Sequence, residues 1–203
     1  MSQKSSKDVF DEKPVRVEKT RVLVDLDGVV RDFVGSLTRV YKFHFPEHEV
    51  LPVISRRLED FFPIGDQIYK FVKSDQIEKI MAEADPYPGA LEALENWKNK
   101  FEIVIVTSQP DFSRASTYLW IGKHNIPTNE IHVTHYKSEI DGYALLDDFI
   151  DNLDEFYATG RLAVCFDQPW NRDWKGQRVK TVDQFFNFVQ DSQVEKLSKQ
   201  SNI

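Results

Sequence analysis

The feature that most constrains this chain is a set of five short apolar runs separated by longer stretches of helical periodicity. The runs are Arg21–Leu26, Phe101–Thr107, Glu130–Thr134, Tyr143–Asp147 and Arg161–Phe166. Most of them are predominantly apolar, and several are rich in Val or Ile, as strands covered on both faces should be. Between them, Pro88–Lys98 carries Ala90, Leu91, Leu94 and Trp97 at helical spacing, and Asp111–His124 opens on a capping sequence after a proline. Asp151–Tyr157 and Val182–Val189 give two further helical patterns. This alternation predicts an α/β fold: a doubly wound, Rossmann-like parallel sheet of about five strands joined by right-handed crossovers.

One stretch breaks the rhythm. About sixty residues separate the first run from the helix after Pro88, far more than one crossover needs. Helical patterns at Asp32–Phe43, Gly65–Lys73 and Asp75–Ala84 lie there, punctuated by Pro46, Pro52, Pro63 and Pro86. The expected organisation is a core of residues 20–32 and 86–191, a small helical cap at 33–85 inserted after the first strand, and polar tails at 1–19 and 192–203.

Composition narrows the function. The net charge of −7 argues against binding polymeric nucleic acid, which requires a basic face. A small anionic ligand remains compatible, because a bound metal and local cations can invert the field inside a cleft. Cys165, the only cysteine, lies in an apolar run and reads as a buried thiol, so neither an intramolecular disulfide nor a cysteine-rich metal site is expected. No apolar stretch is long enough to cross a bilayer and the first residues are polar throughout, so the expected location is cytoplasmic, away from membranes.

In doubly wound sheets reactive groups gather at the carboxyl ends of the strands. Those ends read Asp25-Leu26-Asp27-Gly28-Val29 after the first run and Thr107-Ser108 after the second, with Lys137 following the third and Asp147-Asp148 the fourth. Packed carboxylates repel one another unless a cation offsets them, and Mg²⁺, a hard ion that prefers oxygen, is the natural partner. Asp25, Asp27 (by side chain or backbone carbonyl) and Asp148 are the expected ligands, with Asp147 in support. Gly28 lets the chain turn tightly away.

These residues resemble the four motifs of the haloacid-dehalogenase-like hydrolase superfamily, in the same order and over roughly residues 21–166. The pair Asp25 and Asp27, one residue apart, resembles its phosphatase branch. The resemblance implies that Asp25 attacks phosphorus to give an aspartyl-phosphate and that Asp27 acts as general acid and then base. It assigns Thr107, Ser108 and Lys137 to the phosphate. A solvated surface lysine is the competing reading of Lys137.

Within that superfamily the chain is similar to the 5'(3')-deoxyribonucleotidase family. The similarity rests on Asp27-Gly28-Val29-Val30-Arg31-Asp32-Phe33, on Pro86-Tyr87-Pro88-Gly89-Ala90-Leu91 and on Phe166-Asp167-Gln168-Pro169-Trp170-Asn171-Arg172. It implies a small phosphomonoester substrate, a nucleoside monophosphate, with a homodimer as an allowed assembly. Phe33, Phe61 and Phe62 are candidates to stack on a base. Packing is the alternative for Phe33, and at least one of Phe61 and Phe62 is expected to pack the cap's own core. Trp170 is expected to cover the core and Arg172 to brace a loop. The chain departs from the family pattern at Arg31, where a small residue is more usual, and at Gln109, where proline often follows the second motif.

Two rival readings differ in kind. A phosphatase for sugar phosphates would share every motif. A phospho-receiver module would place its acidic pair after the first strand and its phosphorylated Asp after the third, an order this chain lacks.

Overall fold

The computed structural model describes residues 19–200; the expected tail at 1–19, except its last residue, and the last three residues of the chain lie outside them. The six strands are β1 (Thr20–Val24), β2 (Phe101–Thr107), β3 (Glu130–Val133), β4 (Ala144–Asp147), β5 (Leu162–Phe166) and β6 (Gln177–Val179). They form one sheet in the order β3-β2-β1-β4-β5-β6, and every pairing is parallel. The helices are α1 (Phe33–His44), α2 (Gln67–Val72), α3 (Ile77–Met81), α4 (Ala90–Trp97), α5 (Asp111–Lys123), α6 (Ile150–Ala158) and α7 (Val182–Gln200).

Strand alternation explains why the runs look continuously apolar. Val22 and Val24 of β1 pack on one face with Ile103, Ile105, Leu146 and Val164, where they meet Leu94 and Trp97 of α4, Trp120 of α5 and Phe185 and Phe186 of α7. Leu23, between them, points to the opposite face with Val104, Val106, Leu145 and Cys165, under Leu153 and Phe156 of α6. With both faces covered, the centres of β1, β2, β4 and β5 are buried, and a fully buried Leu, Val or Phe contributes roughly 1.5–3 kcal/mol. β1 lies between β2 and β4, so the strand order reverses direction there and a crevice opens at its carboxyl end.

After β1 the chain turns sharply. Leu26 O accepts the backbone N–H groups of Val29, Val30 and Arg31, and Gly28 takes φ +79°, where a side chain is strained. The chain then leaves the sheet and returns beside its own departure. Asp32 N donates to Asp85 O, Tyr87 N donates to Val30 O, and Arg31 bridges Pro86. Between these points α1, α2 and α3 enclose a separate apolar cluster of Leu37, Val40, Tyr41, Phe62, Ile68, Ile80 and Met81. Asp32 caps α1 by accepting the Gly35 N–H at 2.9 Å.

Two expectations need correction. The sheet has a sixth strand, β6, paired with β5 at the edge. Its three residues expose Gln177 and bury only Val179, so no apolar run announces it. Helix α7 continues to Gln200, where a polar tail from residue 192 is expected. Its later residues are rich in Glu, Lys, Leu and Gln, which favour helix whatever their polarity, and Gln193 reaches the Thr20 hydroxyl at 2.6 Å. Among the described residues no helix is long and apolar enough to cross a membrane.

Candidate active site

The crevice at the carboxyl ends of β1 and β4 opens into a cavity of about 400 Å³. Asp25 follows β1 directly, and its N–H donates to Leu146 O at 3.0 Å, which extends the β1–β4 ladder and brings Asp25 beside Asp147 and Asp148. One carboxylate oxygen from each of these three residues lies within 4.8 Å of the others, and all three residues are buried.

Lys137 is the only cation paired with this cluster among the described residues. It sits on a single 3₁₀ turn after β3, held from behind where Arg161 donates to Ile140 O at 2.7 Å. Its Nζ donates to Asp147 Oδ2 at 2.7 Å and lies 2.9 Å from Asp25 Oδ1. The side chain is 1% exposed, so the alternative of a solvated lysine does not hold. Burial alone would lower its pKa, but Asp147 and Asp25 outweigh that and hold it raised. Asp147 is fully engaged: besides Lys137 it accepts the Phe149 N–H at 2.9 Å and the Asn152 side-chain amide.

The other two carboxyls are under-compensated. Burial pushes Asp25 up to about 7, against the opposing pull of Lys137. Burial, aided by Asp147 and Asp25, raises Asp148 well above the ordinary carboxylate range. Asp25 Oδ1 is buried and, despite its closeness to Lys137, has no aligned hydrogen-bond donor. A buried oxygen without a donor, set close to two further buried carboxylates, fits a hard divalent cation.

The carboxylate of Asp27 does not join this cluster. Arg31 grips it with both prongs of the guanidinium, Nε to Oδ1 at 2.7 Å and Nη2 to Oδ2 at 2.9 Å, and Gln109 Nε2 donates to Oδ2 at 2.5 Å. The side chain still lines the cavity, 26% exposed. The sequence expectation gave Asp27 to the metal by side chain or backbone carbonyl; its carboxylate is paired with a buried guanidinium, outside the group formed by Asp25, Asp147 and Asp148.

Thr107 and Ser108 both line the cavity. Ser108 Oγ donates to Thr134 O at 2.9 Å, whereas Thr107 Oγ1 accepts from Gln109 at 3.0 Å. Phe33 lines the cavity at the start of α1, beside Val34, Val53 and Leu58. Phe61 and Phe62 do not. Phe62 is buried edge-on against Tyr41 with ring centroids 5.0 Å apart, and Phe61 packs on the same cluster, so both serve the core of the helical insertion.

Sequence reasoning missed several lining residues. Trp170, expected to cover the core, instead donates Nε1 to Asp148 Oδ2 at 2.7 Å, while Asn171 holds Asp148 O at 2.9 Å. Arg172, as expected, braces a loop through Asp167. Phe149 and Arg56 complete the wall. The Arg56 guanidinium lies over the Phe149 ring and pairs with Asp151 at 3.0 Å, tying the helical insertion to α6. The only signal for Trp170 was its place in the distinctive segment after β5.

A parallel sheet with reversed strand order, a helical insertion after β1, and an Asp-rich, lysine-neutralised crevice together define a haloacid-dehalogenase-like hydrolase. A haloacid dehalogenase-like hydrolase from Streptococcus pneumoniae shares the fold, with a TM-score of 0.58 and 15% identity over 84% of this chain and 98% of that one. Residues 19–193 match the family model of the 5' nucleotidase, deoxy (pyrimidine), cytosolic type C proteins, and the chain belongs to that family. It is a phosphoric monoester hydrolase. The human 5'(3')-deoxyribonucleotidase of cytosolic type is 30% identical over 144 residues, 63% of this chain and 70% of that protein. The mouse mitochondrial 5'(3')-deoxyribonucleotidase is 30% identical over 158 residues, 66% of this chain and 70% of its own length.

Proposed function

We propose that this protein is a Mg²⁺-dependent 5'(3')-deoxyribonucleotidase that hydrolyses nucleoside monophosphates through an aspartyl-phosphate on Asp25. The observation that carries the reading is the meeting of Asp25 and Asp148 with Lys137 at the mouth of a cavity of about 400 Å³. Asp25, Asp148 and the backbone carbonyl of Asp27 would hold the cation. When bound, Mg²⁺ offsets charge on the phosphoryl oxygens and on the clustered carboxylates.

The residues of the chain divide the remaining work. An Asp25 carboxylate oxygen forms a bond to phosphorus as the ester P–O bond breaks, and Asp27 gives its proton to the departing oxygen. Water then attacks phosphorus, Asp27 takes a proton from it, and Asp25 is released. Lys137, fixed by Asp147, offsets charge at Asp25 and on the phosphoryl group. Thr107 has its hydroxyl proton free for a phosphoryl oxygen, because its oxygen only accepts from Gln109, while the Ser108 hydroxyl is already donating.

Beyond the phosphate the cavity offers flat and apolar walls: Phe33, Phe149, Trp170, Val53 and Leu58. A base stacked on an aromatic there would gain about 1–3 kcal/mol, and the cavity lies within the range of small-molecule sites. The helical body of residues 33–85 acts as the cap that supplies much of this wall. A cytoplasmic setting belongs to the same reading, supported by the cytosolic-type relative.

The test is phosphate release from a panel of deoxynucleoside, ribonucleoside and sugar monophosphates, in chelator and after Mg²⁺ is restored. Expected is Mg²⁺-dependent turnover, fastest with deoxynucleoside monophosphates, and no turnover by Asp25→Asn. Preference for sugar phosphates would reject the substrate assignment, and full activity in excess chelator would reject the metal.

A further inference from the structure

Arg31 is a fully buried guanidinium, and Asp27 is its only carboxylate partner among the described residues. Its remaining contacts are weak or neutral: Thr117 Oγ1 at 3.2 Å, Met81 O at 3.4 Å, and the Trp120 ring with its centroid at 5.4 Å. Gln109 is also buried, and its orientation is fixed by chemistry. Its amide nitrogen lies on Asp27 Oδ2 at 2.5 Å and Thr107 Oγ1 at 3.0 Å, as a carboxylate acceptor demands, and its Oε1 faces the Ser113 hydroxyl at 2.8 Å. Neither Arg31 nor Gln109 lines the cavity.

We propose that Arg31 and Gln109 are positioning residues for proton transfer: they hold the Asp27 carboxylate away from the Asp25–Asp148 cluster and leave Oδ1 as the one oxygen that can carry the proton. The inference rests on the acid–base role given to Asp27 above. A carboxylate oxygen accepts about two hydrogen bonds. Oδ2 already accepts two, from Arg31 Nη2 and Gln109 Nε2. Oδ1 accepts one, from Arg31 Nε, and keeps one lone pair. As Asp25 bonds to phosphorus and the ester bond breaks, the Oδ1 proton passes to the leaving oxygen and its electron pair stays on Asp27. Without the fork, the Asp27 carboxylate is free to swing toward a cation bound by its neighbours, where it would be a ligand instead of an acid. Arg31 stands where the chain departs for the helical insertion and bridges Pro86 on its return, so the clamp is anchored at the root of the cap.

The test compares two esters that differ in their need for an acid. A nucleoside 5'-monophosphate loses a poor, alkoxide-like leaving group, whereas 2,4-dinitrophenyl phosphate loses a phenolate that departs unprotonated. The quantity read is the ratio of kcat/KM for the first ester to that for the second. Arg31→Lys keeps a buried cation and removes the fork, and Gln109→Met keeps the bulk and removes the amide donor. Expected is a fall in the ratio of roughly ten- to a hundredfold for Arg31→Lys and about a few-fold for Gln109→Met. In an Asp27→Asn background, Arg31→Lys should change the ratio no further. An unchanged ratio in both variants, or an equal loss on both esters, overturns the proposal. Asp27→Asn alone separates this failure from that of the underlying reading: if it leaves the ratio unchanged, the acid–base assignment itself falls.

Discussion

Lys137 carries the electrostatics of the crevice. Its ammonium neutralises Asp147 and lies against Asp25 at 1% exposure, so removing it would leave buried carboxylates without a cation. Breaking a buried pair in this way costs roughly 3–5 kcal/mol. Lys137→Met should show that loss in denaturant unfolding of the metal-free protein, and a smaller one with divalent cation present. An unchanged midpoint would mean that the pairing contributes nothing. A second expectation concerns pH. Asp25 and Asp148 titrate above the ordinary carboxylate range because burial disfavours their charge. A raised carboxyl favours the folded state while protonated, and that contribution is lost as pH rises through the folded value, about 7 for Asp25. A bound cation takes the place of the proton. The rise in Tm produced by saturating Mg²⁺ should therefore be larger near pH 8 than near pH 5.5. A shift that is larger at the acidic end would contradict the site.

At the scale of elements, the site is assembled by short irregular segments that the sheet holds in register. The turn after β1 places Gly28 against Asp148, where an added Cβ would run into that carboxylate at a φ of +79°. The 3₁₀ turn Pro169–Asn171 after β5 delivers Trp170 to Asp148 from the other side, and the Gln168 side chain holds Gly28 O at 2.7 Å. Groups of this kind orient ligand oxygens, and their loss commonly weakens metal affinity 10- to 100-fold. Trp170→Phe keeps an aromatic ring in the wall and removes the N–H together with the rest of the indole. It should weaken Mg²⁺ binding by about tenfold in calorimetry while leaving the unfolding midpoint of the metal-free protein nearly unchanged. Equal affinity would reduce Trp170 to a wall of the cavity. This role was not legible in the sequence, because no periodicity links a loop after β5 to a carboxylate after β4. The motif positions were legible for the opposite reason: Asp25, Thr107 and Asp147 each follow or end an apolar strand, and parallel strands align such ends.

Over the whole molecule, the alternation of buried strands and helices gave the layer order, because both faces of a parallel sheet must be covered and the pattern of Val22, Leu23 and Val24 meets that need. Edge strand β6 escaped because an edge needs little burial. Aromatic content in the insertion did not distinguish wall from core: Phe33 lines the cavity while Phe61 and Phe62 fill the helical body, a choice set by how α1 meets α2 and α3. What the fold brings together is a cluster of three buried acids at a reversal of strand order, and the proposed chemistry turns on one of them, Asp25, becoming covalently phosphorylated. The most direct measurement is to quench the enzyme during turnover of a deoxynucleoside monophosphate, reduce it with borohydride and map the peptides by mass spectrometry. An acyl-phosphate at Asp25 would be reduced there to homoserine, only when Mg²⁺ is present and not in Asp25→Asn. Reduction at Asp27 or Asp148, or turnover with no modified residue under conditions that trap an acyl-phosphate, would contradict the mechanism.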